Sequence, residues 1–265
     1  MDKAFFKVIV PNYNNSVWLS KSLGSIFDQT FKDFKIIFID DVSTDNSLDI
    51  AEAFKLQYPD KIEIIASTKK LWNGGSRNIG IKSTSFNSEY TIFLDSDDWF
   101  CDSDCFSHIY NCLAEQNFPD ILRLSYAYKD EAQQFPVILN HQNTLELLTQ
   151  APEVACWTKV AKTSIMPLFP ENTLMEDVIQ HMKLLDIATT IISTDKPIVI
   201  WNRTNTNSCS RPDNQLSQQG KWQSSMFRFV ADLMDFHPVH NYVETNRQYR
   251  LHMALENIKQ GKYIQ

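Results

Sequence analysis

Three carboxylates crowd into four positions at Asp95, Ser96, Asp97 and Asp98, directly after the apolar run Tyr90 to Leu94. Acids so close together raise one another's pKa unless something cationic holds them. A divalent ion is the natural partner. Mg2+ and Mn2+ are hard ions that take one or two protein carboxylates and fill their other positions with phosphate oxygens, so the cluster points to a phosphate-bearing substrate. A solvated turn with an aspartate capping the next helix is the alternative reading of this motif alone.

The elements needed to position such a cluster are legible around it. Phe5 to Val10, Phe34 to Ile39, Ile62 to Ala66 and Tyr90 to Leu94 read as strands, the second fully apolar after Lys35, as in a buried parallel strand. Between them lie helical patterns: Leu19, Leu23, Ile26 and Phe27; then Leu48, Ala51 and Phe54; then the stretch Gly74 to Ile81. Alternation of this kind predicts an α/β domain with a mainly parallel sheet. In open sheets of that class ligands bind beyond the carboxyl ends of the strands. Polar residues gather there three times, at Asn12 to Asn15, Asp40 to Asp45 and Asp95 to Asp98.

The second half is less regular. A helix is expected near Phe106 to Leu113, strands near Ile121 to Tyr128 and Phe135 to Leu139, and a helix near Leu145 to Leu148. Further on come a helix over Val178 to Leu185, strands at Thr190 to Ser193 and Pro197 to Trp201, and a helical tail from about Lys221. Met226, Phe229, Val230, Leu233 and Met234 give that tail an apolar stripe for packing. Ser208 to Gln219 is polar and reads as a flexible loop.

With 265 residues, 43% hydrophobic and 22% charged, the chain has globular composition and enough length for a large core. A net charge of −7 argues against broad electrostatic attraction to nucleic acid. The five cysteines, Cys101, Cys105, Cys112, Cys156 and Cys209, form no CxxC pair and read as reduced thiols. With no apolar run of membrane-spanning length and no leader pattern, a cytoplasmic protein is expected.

Taken together, the strand-end motifs resemble those of the family-2 glycosyltransferases. The resemblance is carried by Val8-Ile9-Val10-Pro11-Asn12-Tyr13-Asn14, Ile39-Asp40-Asp41-Val42-Ser43-Thr44-Asp45-Asn46-Ser47, Gly74-Gly75-Ser76-Arg77-Asn78-Ile79-Gly80 and Leu94-Asp95-Ser96-Asp97-Asp98. Leu23, Ser25-Ile26 and Gln29-Thr30-Phe31 add to it, and it is dense from residue 5 to about 115. It implies a GT-A fold, Rossmann-like, with helices on both faces of the sheet and a helical C-terminal tail. It also implies a division into a nucleotide-sugar half (1–115), an acceptor half with the catalytic base (116–215) and a helical extension (216–265).

For the site, the resemblance implies that Pro11, Tyr13 and Asn14 line a nucleotide pocket and that Asp40 or Asp41 accepts hydrogen bonds from base or ribose. Gly74 and Gly75 would let the backbone approach a ligand, with Arg77 facing a phosphate; a surface salt bridge is the plainer reading of Arg77. Asp95 and Asp97 correspond to the family's DxD motif, which implies a Mn2+ or Mg2+ cofactor, with Asp97 the metal ligand and Asp95 supporting ribose or metal. Glu176-Asp177 resembles the ED motif, whose aspartate is the base in inverting members, so Asp177 is expected to deprotonate the acceptor hydroxyl, with Glu176 beside it in the acceptor site. Acids favouring a helix N-terminus is the plainer reading. Trp201 to Ser210 resembles a late loop motif, with Trp where Tyr is common, and implies that Arg203 contacts the diphosphate and that the loop closes over donor. Trp157-Thr158-Lys159 resembles an acceptor-side motif, with Trp157 either an acceptor wall or a core residue.

The expected function is transfer of a sugar from a nucleotide-diphosphate sugar to a glycan, lipid-linked sugar or other hydroxyl acceptor, most naturally in surface glycan synthesis. A modified DNA base or a protein is the alternative acceptor. Lys159, Lys162, Arg203, Arg211 and Lys221 would be the local basic surface for DNA. A non-catalytic nucleotide-sugar or glycan-binding module would not need Asp95, Asp97 and Asp177. A nucleotidyltransferase would show a Gly-rich basic loop, which Pro11 to Val17 lacks.

Overall fold

The computed structural model describes residues 3–129, 134–137, 154–171, 173, 175–208 and 219–260. The helix expected near Leu145 to Leu148 and most of the Ser208 to Gln219 loop lie outside these residues.

Among the described residues nine strands form one sheet, β1 (Lys3–Asn12), β2 (Phe34–Asp40), β3 (Ile62–Ala66), β4 (Asn87–Phe93), β5 (Trp99–Phe100), β6 (Ile121–Lys129), β7 (Gln134–Val137), β8 (Lys159–Lys162) and β9 (Ile191–Asn202). Their spatial order is β3-β2-β1-β4-β8-β6-β9-β5, with β7 paired to β6. The first four strands are parallel, and β8 joins antiparallel to both β4 and β6. Both halves of the chain therefore share one sheet. Among the described residues the helices are α1 (Ser16–Phe27), α2 (Ser47–Gln57), α3 (Trp72–Lys82), α4 (Cys105–Glu115), α5 (Glu176–Ile187), α6 (Gln219–Asp235) and α7 (Asn241–Lys259).

Strand alternation explains the layers. Val8 and Val10 of β1, with Ile36 and Phe38 of β2, face Leu23, Ile26, Ala51 and Phe106 of α1, α2 and α4. Ile9, Ile37, Ile39 and Phe93 point the other way, against Ile79 of α3 and Phe169. Helices thus cover both faces, as the motifs implied. The tail expected from Lys221 is two helices, packed on α5 through Met226, Phe229, Leu233, Val243 and Ala254. Pro238 lies between them, where a helix cannot continue easily.

One expectation is revised: Thr190 to Ser193 and Pro197 to Trp201 are not separate strands. Both belong to β9, whose register against β6 slips between Arg123 and Tyr126, with Ser125 opposite Pro197. Proline has no N–H to give the ladder, and the bulge absorbs it.

The chain leaves β1 toward β2 on one side and later returns through β4 on the other. Such a reversal of strand order opens a crevice at the carboxyl ends of β1 and β4. Asn12 and the loop that begins at Leu94 flank it.

Candidate active site

Arg77 lies at the centre of the arrangement. Its guanidinium, only 1% exposed, donates to Asp95 Oδ1 at 2.7 Å, Glu176 Oε1 at 2.9 Å and Asp177 Oδ1 at 3.1 Å. It is neither a surface salt bridge nor a side chain open to a phosphate. It ties the acid cluster after β4 to the first turn of α5, 99 and 100 residues away in sequence. Burial works against its charge, but the surrounding Cys156, Asp177, Asp95 and Glu176 raise its pKa well above the usual value. The guanidinium also lies 5.3 Å from the centre of the Phe169 ring.

Glycine makes this junction possible. A Cβ on Gly74 would stand 2.7 Å from the Pro170 carbonyl oxygen and 3.3 Å from Glu176 Cβ. Expected to admit a ligand, Gly74 here admits Pro170 and Glu176 of the protein itself. Gly75 meets Leu71 in the same way, at 3.0 Å. Asn78 fixes the segment further, donating to and accepting from the Phe169 backbone.

The two acids of α5 have distinct environments. Glu176 is buried, and desolvation together with Asp177 pushes its pKa up to about 7, against the opposing effect of Arg77. Asp177 is 25% exposed, with its pKa raised by burial while Arg77 pulls it down. The Cys156 backbone N–H also bonds Asp177. A carboxylate held in place, partly open and shifted toward neutrality has the properties of a general base.

Asp97 accepts a 2.7 Å bond from Asn205 Nδ2, and Asn15 links the same Asn205 to Ser96. Burial and the Asp95 charge raise Asp97 to about 6. Among the described residues no three Asp, Glu, His or Cys side chains gather into a protein-only metal cage. The donor set suits instead a divalent ion that uses Asp97, with Asp95 beside it, and takes its other ligands from a diphosphate and water. Asp98 serves the fold instead. Buried, it accepts the Asn202 N–H at 2.8 Å and anchors the end of β9.

At the β1 and β2 ends, Asp40 and Asp41 are 4% and 3% exposed and already bonded. Asp40 accepts from Asn12 Nδ2 and Ser43 N; Asp41 accepts from Leu71 N at 2.7 Å and Trp72 N at 2.9 Å, holding the start of α3. Val42 and Trp72, at the two ends of this clasp, have left-handed backbones with φ 64° and 62°. Tyr13 is 46% exposed, and the Lys70 ammonium stands between its ring and Asp41. Asn14, with φ 52°, accepts the Thr44 N–H, and Pro11 is buried in β1.

Trp157 is 7% exposed, edge-on to Tyr126 and 6.2 Å from Trp201, so the structure shows its core role. Arg203 is exposed and lies over the rings of Tyr128 and Trp201. Sequence reasoning missed the roles of Asn205 and Cys156 and the bridge made by Arg77. Asn205 and Arg77 stood within the motifs quoted above, whereas nothing in the sequence singled out Cys156.

The model for glycosyl transferase family 2 matches residues 7–157. The Bacillus subtilis minor teichoic acid biosynthesis protein GgaA is 35% identical over 132 residues, covering 48% of this chain and 28% of that protein. Shigella flexneri dTDP-rhamnosyl transferase RfbG is 38% identical over 109 residues, covering 40% of this chain and 37% of that protein. The chain therefore spans well under half the length of these relatives. The structure of S. aureus TarS 1-349 in complex with UDP-GlcNAc superposes with a TM-score of 0.71 at 20% identity, over 95% of this chain and 71% of that one. A mannosyltransferase from Pyrobaculum calidifontis in complex with GDP-Man and Mn2+ gives 0.61 at 14% identity, over 96% and 74%. These likenesses confirm the GT-A fold, and with more than half of its length matched by the family model, the chain belongs to glycosyl transferase family 2.

Proposed function

We propose that this protein transfers a sugar from a nucleotide-diphosphate sugar to an acceptor hydroxyl, with inversion, and that Asp177 is the base. The observation that carries the reading is the Arg77 bridge, which fixes the donor-side acid Asp95 and the acid pair Glu176-Asp177 in one rigid unit. The nucleotide lies across the ends of β1 and β2, where Tyr13 offers an exposed ring. Asp40 and Asp41 shape that pocket through the loops they hold. Single displacement needs no enzyme nucleophile, only a base on the face opposite the leaving group. Asp177, oriented by Arg77 and Cys156, takes the proton from the attacking hydroxyl. Glu176, with its pKa raised to about 7, shares a proton with solvent near neutral pH and lowers the charge the pair carries.

A bound Mn2+ or Mg2+ would supply Lewis-acid stabilisation of the departing diphosphate. Asp97, steadied by Asn205, would hold it. The TarS complexes with UDP-GlcNAc and UDP make a uridine diphosphate sugar the first donor to test. The names of GgaA and of poly(ribitol-phosphate) β-glucosyltransferase, 35% identical over 116 residues, favour a cell-wall polyol-phosphate acceptor over DNA or protein. A cytoplasmic place of action belongs to the same proposal. Among the described residues no helix is long and apolar enough to cross a membrane.

Calorimetric titration of UDP, GDP and dTDP with and without Mn2+, on the wild type and on Asp97→Ala, tests the reading. Metal-dependent binding of one diphosphate, lost in the variant, supports it. Absence of binding by all three overturns it.

A further inference from the structure

Lys159, which the sequence alone would place on a basic surface, is only 4% exposed in the structure. It opens β8, directly after the single turn Cys156–Thr158. Its ammonium donates back into that turn, to the Ala155 carbonyl at 2.8 Å and to Thr158 Oγ1 at 2.9 Å. The Thr158 hydroxyl donates to the same Ala155 carbonyl at 2.7 Å, which closes a triangle of three polar groups. Trp157, within the turn, packs edge-on against Tyr126 at 5.0 Å. Cys156, also within it, is the residue whose backbone N–H bonds Asp177. The turn sets the direction of that N–H, and Lys159 closes the turn.

An ammonium taken out of water is costly unless negative charge stands near it. The acid cluster supplies that charge. Asp95, Glu176 and Asp177 bring three carboxylates to one guanidinium, so Arg77 alone leaves negative charge in excess. Asp177 is faced by Arg77 from α3, Asp95 from the loop after β4, Glu176 on its own helix, the Cys156 thiol and Lys159 from β8. Arg77 and Lys159 are the cations of this set, and both pull the Asp177 pKa down against the effect of burial. Arg123, 2% exposed, stands opposite Lys159 in the register of β6 against β8 and adds positive charge behind it.

We propose that Lys159 is a positioning residue for the base: it closes the 155–158 turn, so that the Cys156 N–H stays on Asp177, and it adds a second buried positive charge to the acid cluster. The significance for transfer rests on the reading of Asp177 as the base.

Carboxyl-carbon NMR of Asp177, identified by the signal lost in Asp177→Asn, reads its titration midpoint in the wild type, Lys159→Met and Lys159→Arg. Amide hydrogen exchange at Cys156 reads the turn in the same proteins and in Thr158→Val, which opens the triangle and keeps the charge. UDP, GDP and dTDP are titrated alongside. Lys159→Met should raise the Asp177 midpoint by about one pH unit, because the carboxylate loses an opposite charge, and should speed Cys156 exchange about tenfold. Lys159→Arg should return the midpoint toward the wild-type value. Thr158→Val should speed the exchange with a smaller change of midpoint, and nucleotide affinity should stay unchanged throughout. A Lys159→Met protein that is merely less stable, with either the midpoint or the exchange unaltered, overturns the proposal. If Lys159→Met does not fold, Thr158→Val decides: unaltered Cys156 exchange overturns the proposal and faster exchange supports it. If the wild type binds none of the three diphosphates while the Asp177 midpoint still depends on Lys159, the brace stands and the transferase reading falls.

Discussion

Replacing Arg77 with methionine removes the one guanidinium that three carboxylates share. The volume is nearly kept, so the loss is electrostatic. Breaking a buried ion pair from one side costs about 3–5 kcal/mol, because the remaining charge is left uncompensated. Here the remaining acids can escape by taking up protons, so the cost depends on pH. Even in the wild type, Glu176 keeps its proton up to about pH 7, against an ordinary value of 4.5. Between those values the folded state binds more protons than the unfolded state, and stability falls as pH rises through the window. The gap corresponds to about 3 kcal/mol from this residue. Without Arg77 the window widens upward, since the guanidinium that opposes the shift is gone. Urea unfolding of Arg77→Met should therefore show a loss of about 3–5 kcal/mol near pH 8, shrinking by roughly half near pH 5. Adding Glu176→Gln in the same background should recover part of the loss near pH 8. A deficit below about 1 kcal/mol, or one that does not change with pH, would refute the bridge as the organiser of the site.

Three further substitutions test the backbone. Val42 is a β-branched residue at φ 64°, held there by the turn that sends Asp41 to α3. Val42→Gly should stabilise by about 1 kcal/mol, the left-handed penalty less the entropy that glycine adds to the unfolded chain; a lower melting temperature would contradict this. Gly24 of α1 has nothing within 4 Å of an added Cβ, so Gly24→Ala should gain about 0.5–1 kcal/mol. Gly74→Ala must instead displace the Pro170 carbonyl, and it should lose about 1–3 kcal/mol. It should also weaken transfer by moving Glu176 and Asp177; equal effects of the two alanines on melting would remove the packing role of Gly74.

The first four strands were legible because each carries a short apolar run bounded by polar residues, and in β1 and β2 burial on both faces leaves no competing helical pattern. Beyond Leu94 that signal fades. Trp99 and Phe100 form a two-residue strand, and Lys159 to Lys162 pairs with β4 and β6 through a sequence with two lysines in four positions. Neither carries a pattern that distinguishes strand from loop. Asp95, Asp97, Glu176 and Asp177 were readable as motifs, but their partners were not. The Arg77 to Glu176 bond joins residues 99 apart, and only the fold brings them together. Gly74 illustrates the same limit: its need for space was visible, while the neighbour that fills the space was not.

The proposed role of Asp177 is to remove the acceptor proton while the donor side is bound independently of it. Its most direct test is the transfer rate of Asp177→Asn beside its affinity for the donor nucleotide, with wild-type protein as reference. A base in this position predicts a fall in kcat of about 10²–10⁴-fold with donor affinity unchanged. Transfer at the wild-type rate by Asp177→Asn, with donor bound equally well, would contradict it.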